Sequence, residues 1–206
     1  MASPKNKEQA ILEAAGRLFA RRGFPVTSMK DIAAEAGIAV GTTYLYHPTK
    51  DDLLAALYRH SSALLLERIE RRLAGTTGAW SKLEAFLAES IEFSFAHPDF
   101  FLLVFVDLRR SEIEFPQRTV YVSYHKYIDR FKEILAEGRR SGEFAIPDSS
   151  KFVMGFMGFW VAMLLRSVLE PAIPDPAAEK AEILNLVRQT AARMVLAPAA
   201  ANKEGS

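Results

Sequence analysis

Residues 27–46 read TSMKDIAAEAGIAVGTTYLY, and the fold turns on this stretch. Met29, Ile32, Ala33 and Ala36 recur at helical spacing and form the inner face of a short helix. Thr27 or Ser28 can cap it, with Asp31 in its first turn. Gly37 ends it, because redirecting one helix against the next needs a φ > 0 residue. A second short helix follows from Val40 to Tyr46, and Pro48 marks its limit. Ala33 is small enough to let the two helices approach, Ile38 is placed to plug the turn, and Leu45 is expected to pack inward. Seven residues are too few for a helix stable alone, so its neighbours must hold it, leaving its outer face free. Tyr44 and Tyr46, two residues apart, cannot both face inward.

The same periodicity extends both ways. Ile11, Ala14, Ala15, Leu18 and Phe19 line one face of a helix over Lys5–Arg22, stopped by Gly23 and Pro25. Thr49 and Asp52 form a capping pair that opens a long helix over Asp51–Leu73, broken by Gly75-Thr76-Thr77-Gly78. Further helices are expected at 79–96, 99–110, 117–140, 149–169 and 176–196, separated by proline and glycine signals. No period-2 run is long enough for a strand. The fold class is all-α: an N-terminal three-helix helix-turn-helix domain over 1–50, a C-terminal helical domain over 51–198, and a flexible tail at 199–206.

Of 206 residues, 50% are hydrophobic and 25% charged, a globular composition. The absence of cysteine excludes a disulfide scaffold, a cysteine nucleophile and thiolate metal sites. The longest apolar run, Phe152–Leu165, falls short of the ~20 residues of a membrane span, and Met1–Lys7 is too polar for a secretory signal. A soluble, cytoplasmic protein with no membrane partner is the expectation. Seven Lys/Arg against four Asp/Glu give residues 1–50 a charge of +3; nineteen against twenty-one leave 51–206 at −2. A basic head suggests an anionic partner there. His47, His60, His97 and His125 lack metal-ligand spacing, and no phosphate loop, dinucleotide fingerprint, nucleophile elbow or metalloprotease helix occurs. The expectation is no metal, no cofactor and no enzyme.

Ile11-Leu-Glu-Ala-Ala15, Leu18-Phe19, Gly23, Thr27-Ser28, Ile32-Ala33, Ala36-Gly37, Gly41-Thr42-Thr43-Tyr44-Leu45-Tyr46 and Lys50 together resemble the DNA-binding head of the TetR family of repressors. The resemblance implies that Val40, Gly41 and Thr42 face base edges in double-stranded operator DNA. It implies that Tyr44, Tyr46 and Lys50 meet phosphates, and that Thr27, Ser28 and Lys30 lie where the second helix meets the backbone. Val40 and the Thr42 methyl can contact thymine methyls. Three positions depart from the family pattern. Ala39 replaces the usual capping Ser, Thr43 a large apolar residue, and His47 the usual Phe.

In the C-terminal part, Tyr121, Tyr124, Ile128 and Phe131 form one apolar stripe on a long helix. Phe93, Phe105, Phe156 and Trp160 are candidate facing walls of an effector pocket. Ordinary core packing is the competing reading. Arg109 could meet an anionic head group, and the segment is similar to fatty acyl-CoA-responsive members of the family. The resemblance also implies a homodimer through the last two helices, with Phe152, Gly155, Gly158, Phe159 and Met163 at the interface. The expected function is a ligand-responsive homodimeric repressor released from a palindromic operator by a small hydrophobic effector. The alternatives are a small-molecule carrier or enzyme with a vestigial helix-turn-helix, and a regulator whose DNA binding its ligand promotes.

Overall fold

Apolar residues at three- and four-residue spacing produce helices throughout the computed structural model. It describes residues 4–102, 117–147, 150–169 and 175–196. Among these residues the helices, in chain order, are α1 (Pro4–Arg22), α2 (Met29–Glu35), α3 (Val40–Tyr46), α4 (Lys50–Leu73), α5 (Ala79–Ala96), α6 (Pro98–Leu102), α7 (Gln117–Ser141), α8 (Ser150–Leu169) and α9 (Pro176–Val195). The predicted helix over 99–110 is present as α6 as far as Leu102; its remainder, and the tail 199–206, lie outside the described residues. Among the described residues the secondary structure is helical, with an N-terminal helix-turn-helix region and a helical C-terminal region. No described helix is long and apolar enough to cross a membrane.

Two compact units share the chain: residues 1–66 with 96–126, and residues 67–95 with 127–206. In the first, Ile11, Ala14, Ala15 and Phe19 of α1 are fully buried with Ile32 of α2 and Leu53 of α4. Phe19 and Phe24 meet at 5.1 Å between ring centroids, and Phe100 of α6 packs edge-on against Tyr58 of α4. Burying a side chain of the Leu, Ile or Phe class contributes about 1.5–3 kcal/mol, so this shared core holds the short α2 and α3 in place.

In the second unit, Phe86 of α5, Phe131 of α7 and Phe156 of α8 stack in succession, with centroids 5.2 and 5.6 Å apart. Glu89 of α5, nearly buried, accepts from Arg68 and Arg72 of α4. Burial pushes its carboxyl pKa up, but the two guanidinium groups outweigh this and hold it below the usual value. Glu143 closes the N-terminus of α5 from far along the chain, accepting from the amides of Ala79 and Trp80 at 3.0 Å each. Those two bonds hold its pKa low. Gly138 of α7 lies directly under the Phe144 ring, where a Cβ would overlap it.

Candidate nucleic-acid interface

The turn is built as its residues dictate. Ser28 caps α2 in a reciprocal box: its hydroxyl accepts from the Asp31 amide at 3.1 Å, and its own amide donates to Asp31 at 2.9 Å. Hydrogen bonds from the Ser28 side chain and backbone hold the Asp31 carboxyl below its ordinary pKa. Gly37 takes φ +65°, and the Ile38 amide returns to the Ala33 carbonyl at 2.9 Å. Arg17 pairs with Glu35 at 3.0 Å, tying α1 to the end of α2.

On α3, Ala39 supplies no side-chain cap. Thr43 and His47, one turn apart, form its buried side; Thr43 Oγ1 and His47 Nε2 both lack a hydrogen-bond partner. Burial pulls the His47 pKa below its ordinary value; Arg59 adds to this, while Glu8 and Asp52 oppose it. The expectation that Leu45 packs inward is corrected: it is 85% exposed. Two residues from Thr43 is about 200° of helix rotation, so burying Thr43 turns Leu45 outward. Val40, Gly41 and Tyr44 share the exposed side, whereas Thr42 and Tyr46 are half-buried and Tyr46 leans on the core.

Ser28 and Lys30 are exposed at the start of α2. Thr27 is buried, 1% exposed, and its hydroxyl donates to the Gly23 carbonyl at 2.8 Å. Lys50 directs its ammonium to the carbonyls of Phe24, Pro25 and Thr27 at 2.7, 3.2 and 2.8 Å, and lies 4.4 Å from the Phe24 ring centroid. Three donors meet three acceptors, so Lys50 clamps the loop before α2 to the first turn of α4. Burial holds its pKa below the ordinary lysine value, against the attraction of Asp51. The sequence showed a lysine at this place but gave no sign of the carbonyl cage, whose members lie 23 to 26 positions away.

Of the residues expected at an effector pocket, Phe93, Ile128, Phe131, Phe156 and Trp160 are buried in the second unit. Trp160 Nε1 is buried without an acceptor. Phe86 and Tyr127, which the sequence reading did not select, join this aromatic group. Their ring centroids lie 4.9 Å apart, and the Tyr127 hydroxyl donates to Ser90 at 2.9 Å. Phe105 and Arg109 lie outside the described residues, as do the side chains of Tyr121 and Tyr124. A half-open cleft of about 140 Å³ between α7 and α8 includes Phe152 but no expected pocket residue. Of the residues expected at a dimer interface, Gly155 and Gly158 are exposed on α8; Phe152, Phe159 and Met163 are half-buried. Met154, beside them, is 54% exposed.

A capped helix, a glycine turn and a second helix with an exposed outer face make a helix-turn-helix. Residues 11–57 match the family described as bacterial regulatory proteins, tetR family. That match spans the helix-turn-helix and the first part of α4, so this stretch is similar to the DNA-binding region of that family. It is 28% identical over 143 residues to the fatty acid metabolism regulator protein of Bacillus subtilis (strain 168), covering 69% of this chain and 73% of the relative. Its fold is similar to the fatty acid degradation regulator FadR from Bacillus halodurans, with TM-score 0.78 and 22% identity over 91% of this chain and 96% of that one. FadR from Bacillus subtilis, solved in complex with stearoyl-CoA, superimposes with TM-score 0.70 and 23% identity over 87% and 96% of the two chains.

Proposed function

We propose that this protein is a homodimeric repressor that leaves a palindromic operator when it binds a small hydrophobic effector, a fatty acyl-CoA. Residues 1–50 serve as the DNA-binding head and 51–198 as the effector and dimer domain. The observation that carries the DNA reading is the outer side of α3: Val40, Gly41, Tyr44 and Leu45 stand in solvent with no structural task. Two such helices, one per subunit, enter successive major grooves ~34–36 Å apart. Val40, Gly41 and Thr42 face the bases, while Ser28, Lys30, Tyr44 and Tyr46 contact the backbone. Thr27 and Lys50, both committed to protein carbonyls, position that surface.

The effector class rests on likeness to fatty acid regulators, one of them solved with stearoyl-CoA. The buried aromatic group around Phe131, Phe156 and Trp160 supports it: an acyl chain suits apolar rings, and its carbonyl would give Trp160 Nε1 an acceptor. Helix α4 is the natural transmitter. Its first residue clamps the loop before α2, and its last turns hold Glu89 through Arg68 and Arg72. A shift of α4 is therefore delivered to the helix-turn-helix. By linkage, an effector that weakens DNA binding binds the DNA-bound form more weakly by the same factor.

The half-buried Phe152, Phe159 and Met163, with exposed Met154, Gly155 and Gly158, give α8 a face for its twin. Fluorescence anisotropy on DNA from upstream of the protein's own gene, titrated with acyl-CoAs of several lengths, tests the reading. Release by one length range is the expected result. DNA binding indifferent to every acyl-CoA would overturn the effector class.

A further inference from the structure

The composition of α3 restricts what it can read. Val40-Gly-Thr-Thr-Tyr-Leu-Tyr46 carries no arginine, lysine, asparagine, glutamine or carboxylate. The bidentate pairs that identify guanine through Arg or Lys, and adenine through Asn or Gln, are therefore not available to this helix. Its hydroxyls offer only single hydrogen bonds. What remains for sequence discrimination is apolar contact, and the one base feature suited to it is the C5-methyl group of thymine in the major groove.

The structure shows which side chain is placed for that contact. Leu45 is the most exposed large apolar residue among those described, on a helix whose opposite side is fully engaged with the core. It lies three positions after Thr42 and four after Gly41, so the three share one face. Helical side chains lean toward the N-terminus, which brings the Leu45 isobutyl group over the turn containing Gly41 and Thr42. A Cβ at Gly41 would meet nothing within 4 Å, so the helix surface at Gly41 is open to an approaching base edge. Helix propensity does not account for Leu45, since alanine would serve that purpose better.

We propose that Leu45 is a specificity-determining residue that covers a thymine methyl in each half-site, Gly41 allowing the base edge to approach. The proposal rests on the DNA-binding reading above. It makes α3 a reader of methyl groups rather than of hydrogen-bond patterns.

The test uses the full chain and duplexes enriched by it from a random-sequence pool. Each thymine in an enriched site is replaced in turn by uracil, which removes one methyl and keeps the pairing. For the unaltered protein, one position per half-site loses about fourfold in affinity, the equivalent of one buried methyl. For Leu45→Ala, whose exposed site leaves folding intact, uracil at that position costs nothing further. Enriched sites without thymine, or equal uracil losses in the two proteins, would overturn the role of Leu45 while leaving DNA binding standing. Failure to enrich any duplex would overturn both.

Discussion

Replacing His47 with phenylalanine should stabilise the protein and flatten its response to acid. His47 is 4% exposed, and its Nε2 is buried without a partner, as is the Thr43 Oγ1 one turn earlier. Leaving one buried polar atom unsatisfied costs about 1–3 kcal/mol, which the substitution recovers. The pH effect follows from the same burial, which lowers the imidazole pKa below 6.5 in the folded chain. Between that depressed value and 6.5 the unfolded chain holds a proton that the folded chain does not. Unfolding therefore becomes easier as pH falls. The full contribution is present above about pH 6.5, is lost on the way down, and stops changing below the folded pKa. One proton sets the maximum slope at about 1.4 kcal/mol per pH unit. Urea unfolding of both proteins at about pH 8 and about pH 5.5 measures this, and the difference cancels His60, His97 and His125. The variant should be more stable at the higher pH and its advantage larger at the lower. Parallel pH dependence in the two proteins would refute the reasoning.

Other substitutions separate folding from recognition. Gly138→Ala drives a Cβ into the buried Phe144 ring and should cost about 1–3 kcal/mol in a thermal or urea melt. Gly41→Ala meets open space, so it should raise stability by up to about 1 kcal/mol while weakening operator binding in an anisotropy titration. Lys50→Met removes the clamp on the Phe24–Thr27 carbonyls and should cost about 1.5–3 kcal/mol of stability. Its DNA complex should keep its salt slope; a slope shallower by about 0.9 would make Lys50 a phosphate contact. Glu89→Gln leaves Arg68 and Arg72 without their shared charge and should cost about 1–3 kcal/mol, reduced because both guanidinium groups reach solvent. Since the Glu89 pKa is lowered, its contribution is present above about pH 4.5 and fades as pH drops through the folded value, which an acid titration of the melt would show.

What could be read from the sequence was local. The Ser28–Asp31 box, the Thr49–Asp52 pair and Gly37 each act within three or four residues, and each forms as its chemistry requires. The inner face of α1 was equally legible, because 3.6-residue periodicity needs no knowledge of the partner surface. Leu45 was misplaced because a seven-residue helix is too short for periodicity to choose between two faces. Its polar Thr43 and His47 turned inward against composition, at the expense of two unsatisfied atoms. The Lys50 cage and the Glu143 cap on α5 join residues more than twenty and more than sixty positions apart, respectively, and no local pattern announces such pairings.

The most direct test of the account is a titration of the full chain onto an enriched duplex at several salt concentrations, with the stoichiometry determined by sedimentation. Two chains per duplex are expected, with an affinity that falls steeply with salt, each phosphate contact contributing about 0.9 to the logarithmic slope. One chain bound per duplex, or an affinity indifferent to salt, would contradict it.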